Sequence, residues 1–134
     1  GDECRHNEAY WDTRSTWLSA GNAAHGYTPH LRGRNPRGLA AWSAWADEGF
    51  PLKGLIAEDL DAEQRWTEEW FLGLRRARGV DLARLSREFP DRTPPKSAIA
   101  KRIASGHVEA DGDNIRLVGD GWLLLDSIAV ELSG

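Results

Sequence analysis

His107-Val108-Glu109-Ala110-Asp111-Gly112-Asp113-Asn114-Ile115-Arg116-Leu117-Val118 is the stretch at which the chain changes period. Apolar and polar residues alternate on both sides of Asp111-Gly112-Asp113-Asn114, and that turn composition between alternating flanks predicts a β-hairpin. Upstream the period is helical. Lys96 to Ser105 reads as a helix with Ile99 and Ile103 inward, ended by Gly106. Before it, Asp81 is a cap for a short helix carrying Leu82, Leu85 and Phe89, which Pro90, Pro94 and Pro95 break off. Asp61 caps a longer helix with the stripe Trp66, Trp70, Phe71, Leu74. Its Glu63 comes early and its Arg75, Arg76 and Arg78 come late, as the helix macrodipole favours, and Gly79 stops it. Downstream of the hairpin, Gly119-Asp120-Gly121 leads into a last helix, Trp122 to Leu132. Helix, helix, hairpin, helix in this order is a winged-helix-like pattern.

The first helix of this series starts at Asn35, a good N-cap, with Pro36 suited to the first helical position. Leu39, Trp42 and Trp45 recur at helical spacing until Gly49, and Phe50 to Ile56 reads as a short extended link. Residues 1–35 differ. No period persists there, and Gly21, Gly26 and Gly33 punctuate a run rich in polar residues. They read as loop with short strand pieces, such as Thr16–Ala20. The expected organisation is therefore a loop-rich segment, 1–35, before a helical, winged-helix-like domain, 36–134. The expected class is mainly α with a small β-hairpin. A free domain rarely begins with so long an unpatterned stretch, so the chain reads as the tail of something larger.

Composition narrows the chemistry. The 134 residues carry 17 Lys and Arg against 21 Asp and Glu, a formal charge of −4. No global field invites nucleic acid or an anionic membrane. One cysteine excludes an internal disulfide framework and suggests a reducing compartment. It equally excludes an iron–sulfur cluster or cysteine-bound zinc held by this chain alone. The longest apolar run, Trp122 to Leu125, is far short of a membrane span, and no signal-peptide pattern appears. A cytoplasmic protein is expected.

The ligand-friendly residues gather in Cys4-Arg5-His6-Asn7-Glu8-Ala9-Tyr10-Trp11. A neutral imidazole is a good haem-iron ligand, which makes His6 the candidate metal-binding residue. On a helix His6 and Tyr10 share one face and Asn7 and Trp11 another; on a strand His6, Glu8 and Tyr10 align. Either arrangement places an aromatic ring beside the histidine, able to cover a porphyrin face. Arg5 or Arg14 suits a propionate. The bland alternative is a structural histidine with Tyr10 and Trp11 filling a junction. His25, in a glycine-flanked loop with Gly21, is a second candidate near a cofactor or a substrate carboxylate. His30 and His107 read as surface or hairpin residues, Cys4 as an ordinary thiol, and Arg32, Arg34 and Arg37 as a small basic cluster. Lys96, Lys101 and Arg102 lie where a winged-helix DNA reader places its cations. The acidic turn Asp111, Asp113 and the negative net charge argue against DNA.

With these elements placed, the chain resembles the C-terminal part of the radical-SAM oxygen-independent coproporphyrinogen III oxidase family, which includes the haem chaperones. His6-Asn7-x-x-Tyr10-Trp11 is similar to its H-N-x-x-Y-W motif, and Trp17 to Tyr27 to its glycine-rich G-x-G-A-H segment. Glu68, Leu72-Gly73-Leu74-Arg75 and Gly79-Val80-Asp81-Leu82 resemble its "E…LGLR…GVDL" run. Leu117 to Trp122 with Leu125-Asp126 resembles its closing helix. Ala23 departs from the pattern, standing where glycine is more usual.

The resemblance implies that residues 1–35 are the trailing segment of a radical-SAM barrel. It implies S-adenosylmethionine and a [4Fe–4S] cluster in the full-length protein, held elsewhere, because C-x-x-x-C-x-x-C is absent here. It implies haem or porphyrin handling of the chaperone type, with His6, Asn7, Tyr10 and Trp11 as binding candidates. The barrel itself and a haem-recipient protein are the expected partners. The alternatives are oxidative decarboxylation of coproporphyrinogen III to protoporphyrinogen IX by the full-length enzyme, and a stand-alone winged-helix DNA-binding module.

Overall fold

The computed structural model describes residues 3–29, 31–51 and 56–134, and the side chain of Ile56 is left aside. The chain divides into two compact units. One joins the N-terminal residues up to Thr13 to Ala62–Gly134; the other is Arg14–Asp61. The break expected between residues 35 and 36 falls inside the second unit. His30 and most of the expected link from Phe50 to Ile56 lie outside the described residues.

In the first unit the helices are α1 (Arg5–Trp11), α3 (Ala62–Gly73), α4 (Leu82–Glu88), α5 (Lys96–Ala104) and α6 (Leu125–Ser133). A three-stranded antiparallel sheet joins β4 (Val80–Asp81), β6 (Asn114–Leu117) and β5 (Val108–Asp111) in the order β4-β6-β5. The stripe on α3 is realised: Trp66, Trp70 and Leu74 recur every fourth residue, and all three are buried. They meet Ile128 and Leu132 of α6, both with no exposed surface, together with Leu85, Phe89, Ile99, Val108, Ile115 and Leu117. The Trp66 indole closes this seam by donating to the Ser133 carbonyl, 2.7 Å away.

Local signals hold where they are strong. The Asp81 carboxylate accepts from the Arg84 amide at 2.8 Å and caps α4. The hairpin forms, but its register pairs Asp111 with Asn114, so the turn is only Gly112-Asp113, with Gly112 at φ +61°. Two expectations at the ends are corrected. Ile103 is 40% exposed rather than inward. The last helix begins at Leu125, preceded by a 3₁₀ turn over Gly119–Leu124. That turn is tight because Gly121 lies against β5's approach: a Cβ there would come 2.0 Å from the His107 carbonyl oxygen.

The second unit differs most from expectation. It holds β1 (His25–Tyr27), β2 (Leu31–Arg34) and β3 (Ile56–Asp59) as a second antiparallel sheet in chain order, with α2 (Leu39–Asp47). The expected strand piece Thr16–Ala20 reduces to a bridge from Trp17 to Tyr27. Asn35 does not cap α2, whose N-cap is Gly38. It is instead buried, where its carboxamide accepts from Ser19 Oγ at 2.7 Å and donates to the Gly21 carbonyl at 2.8 Å. A buried amide needs those partners, and it finds them 14 and 16 residues back in the chain. The architecture is therefore mixed, helices with two small sheets, rather than helices with one hairpin.

Candidate functional site

Arg5–Trp11 forms a helix, so the helical alternative for the ligand-friendly segment holds and residues 1–35 are not all loop. Its i, i+4 spacing stacks His6 against Tyr10, ring centroids 4.8 Å apart at 73°, an edge-to-face pair. Both residues are exposed, Tyr10 by 41%, as is Asn7; Trp11 is half-buried. The other face of the helix carries Glu8 and Asp12. Glu8 Oε2 accepts from Arg76 Nε at 2.9 Å, and Asp12 lies 3.4 Å from Arg76 and 3.6 Å from Arg78. One face thus presents an imidazole and a phenol, and the opposite face is tied to the turn that follows α3. Cys4, exposed with a free thiol, occupies the N-cap position.

His25 lies in the second unit, exposed on β1, paired across the strands with Arg34. The neighbouring row, Trp17, Tyr27 and Arg32, forms a stack. Trp17 and Tyr27 lie nearly parallel at 5.6 Å, and the Arg32 guanidinium sits 3.5 Å from the Tyr27 ring centre. Arg32 also donates to the Thr28 carbonyl at 2.7 Å, so part of the basic cluster braces the sheet. Gly21 turns at φ +97° and serves Asn35 through its carbonyl. His107 shares a 2.9 Å hydrogen bond with Ser105 Oγ at the start of the hairpin, a structural place. Among the described residues, no three His, Cys, Asp or Glu side chains gather as a metal site.

Two of the three cations of α5, Lys101 and Arg102, are engaged. Lys101 Nζ lies 3.0 Å from Glu131 Oε1, and Arg102 Nε donates to Glu131 Oε2 at 2.6 Å. The hydrogen bonds from Lys101 and then Arg102 hold the Glu131 carboxyl below the usual glutamate range. α6 therefore takes up two of the three charges a DNA reader would offer to phosphate.

The residue the sequence did not single out is Arg76. It was legible only as one of three late cations on a helix. Its partner Glu8 stands 68 positions away, beyond any local pattern.

The fold and these motifs define a C-terminal region of the HemN type, and comparisons with known proteins bear it out. Residues 60–124 match the HemN C-terminal domain. The chain is 35% identical over its whole length to the haem chaperone HemW of Mycobacterium tuberculosis, of which it covers 32%. It is 31% identical to HemW of Bacillus subtilis over 66% of this chain and 23% of that protein. The solved structure of Escherichia coli coproporphyrinogen III oxidase (HemN), a radical-SAM enzyme, aligns over 89% of this chain and 28% of that one, with a TM-score of 0.63 at 18% identity. That likeness shows the fold. The chain belongs to the HemN/HemW family and corresponds to its C-terminal region. It spans about a third of the length of the Mycobacterium relative. No described helix is long and apolar enough to cross a membrane.

Proposed function

We propose that the chain is the C-terminal region of a haem- or porphyrin-handling protein of the chaperone type, and that the His6–Tyr10 face of α1 meets the tetrapyrrole. The observation that carries this reading is the edge-to-face pair itself: an imidazole and a phenol side by side and exposed. His6 supplies the nitrogen for iron, Tyr10 the flat contact, with Asn7 and Trp11 flanking. The relatives at 31–35% identity are named haem chaperones, which favours this reading over the decarboxylase alternative.

A [4Fe–4S] cluster does not fit the donors present, since one exposed thiol stands alone at the start of α1. In a relative-length protein the cluster and S-adenosylmethionine belong to other residues. The second unit supports a place beside such a barrel. Its α2 is apolar yet has no buried residue, Leu18 is 90% exposed and Leu39 70%. An apolar cleft of about 510 Å³ lies between Leu18, Trp42, Trp45 and Phe50. Patches of this kind mark a missing partner surface. We assign that surface to the preceding radical-SAM barrel, the winged-helix-like first unit to a cover or a docking face for a haem recipient, and the whole to the cytoplasm. DNA binding has no comparable support, because Glu131 engages Lys101 and Arg102 and the wing tip is acidic.

The test compares haem with metal-free protoporphyrin on the 134-residue chain. The proposal expects haem to bind more tightly, with a shifted Soret band, because His6 adds an iron bond to ring packing. Equal affinity for the two rings would remove the iron from the account.

A further inference from the structure

α1 cannot hold itself together. It has seven residues, none buried, and no side-chain bond at its N-cap. A helix of two turns is below the length at which propagation offsets nucleation in water. Its charges do not make up the difference: Glu8 suits the first turn, but its neighbour Asp12 works against the helix. Glu8 and Asp12 stand four apart, a spacing at which like charges repel on one helix face. Asp12 also sits at the C-cap, where the macrodipole disfavours an anion, and the last turn contains no basic residue to offset it.

Arg76 offsets the penalties that come from charge. Its guanidinium reaches Glu8 at 2.9 Å and Asp12 at 3.4 Å, placing one cation between the two anions. An exposed pair of this kind contributes little, but here Arg76 is only 12% exposed, Glu8 25% and Asp12 21%. Arg78 adds a weaker, more exposed contact to Asp12 at 3.6 Å. The helical conformation is what puts His6 beside Tyr10, so whatever fixes the helix also fixes that pair.

We propose that Arg76 is the positioning residue of the His6 helix: by bridging Glu8 and Asp12 it keeps Arg5–Trp11 helical, with His6 and Tyr10 together on the outward face. The bridge itself is independent of any ligand. Its consequence for binding rests on the porphyrin-handling reading above.

Cys4, the sole cysteine, is exposed and adjoins the first residue of α1, so a nitroxide attached there reports the helix directly. In the 134-residue chain the label is expected to be immobilised, and Arg76→Gln is expected to replace most of that signal by a mobile component. Arg76→Lys keeps the charge but loses the fork, and falls between. The pair Glu8→Gln with Asp12→Asn loses the bridge but also the repulsion and the C-cap anion, so it frees the label less than Arg76→Gln does, and adding Arg76→Gln to that pair changes nothing further. Unfolding followed by far-ultraviolet circular dichroism, to which the other helices contribute most, stays close to that of the parent chain. If the bound form requires the ordered helix, haem affinity falls about tenfold in Arg76→Gln, in proportion to the lost ordered fraction. An unchanged label spectrum in Arg76→Gln, or effects of the carboxylate and arginine changes that simply add, would overturn the bridge. A released label with unchanged haem affinity upholds the bridge and overturns the assignment of His6 to the ligand.

Discussion

Gly79 and Ile115 approach so closely that a Cβ on the glycine would lie 2.0 Å from the Ile115 carbonyl oxygen. Gly79 also turns at φ +72°, in the left-handed region that favours glycine. It is where the chain leaves the α3 turn and enters β4, beside β6. The glycine of the family's "GVDL" run is thus explained by backbone packing.

Gly79→Ala therefore combines strain with a backbone clash that cannot relax by side-chain movement, and is expected to cost about 4 kcal/mol or more. Gly112→Ala is the control. It shares a positive φ, +61°, but nothing lies within 4 Å of the added Cβ, so about 1–2 kcal/mol is expected. Urea unfolding of the two variants separates the terms. Equal losses would show that the approach to Ile115 does not matter.

Ala23 holds φ +56°, in the left-handed region, with its amide bonded to the Pro36 carbonyl at 3.1 Å. The usual glycine at this place in the family has a conformational reason, whatever lies nearby. Ala23→Gly is expected to stabilise the second unit by about 1 kcal/mol, since relief of a left-handed alanine exceeds the entropy added to the unfolded chain. Thermal unfolding followed by circular dichroism would show it; a lower midpoint would contradict it.

Glu69 is buried, 6% exposed, and its carboxylate is gripped by Arg84, which also reaches Glu88 at 2.9 Å. Burial works against the Arg84 charge, but the hydrogen bond to Glu69 and the charges of Glu69 and Glu88 outweigh it and hold its guanidinium above the usual arginine range. Arg84→Met strands a buried carboxylate and is expected to cost about 3–5 kcal/mol. Adding Glu69→Met should recover much of that loss. Double-mutant unfolding that shows simple additivity would contradict the coupling.

Glu131 gives a pH signature. Its folded-state carboxyl is held below the ordinary value of 4.5 by Lys101 and Arg102, so its protons bind more readily in the unfolded chain. The stability it contributes is present above that ordinary value and is lost as pH falls through the lower, folded one. Glu131→Gln should remove this part of the acid slope. A slope identical to the parent's would show that the clamp does not form.

What was legible follows from distance along the chain. The Asp81 cap, the Trp66–Trp70–Leu74 stripe and the hairpin at Gly112 depend on residues within a few positions of one another, and each formed. Asn35 looked like a cap because caps are local, but its partners Ser19 and Gly21 lie across the second unit. The sheet of that unit was missed because His25-Gly26-Tyr27 and Leu31-Arg32-Gly33-Arg34 show no apolar alternation, and β3 pairs with β2 from far along the chain. The site divides in the same way. The His6–Tyr10 face was readable from i, i+4 spacing once a helix was allowed, whereas the Arg76 bridge that supports it required the fold.

The proposed haem-ligand role of His6 on the α1 face can be read by haem titration of the parent chain and its His6→Ala variant, followed through the Soret band. A shifted band and saturable binding are expected for the parent. In His6→Ala the shift should be lost and affinity should fall at least about tenfold, while His25→Ala stays like the parent. An unchanged band and affinity in His6→Ala would contradict it.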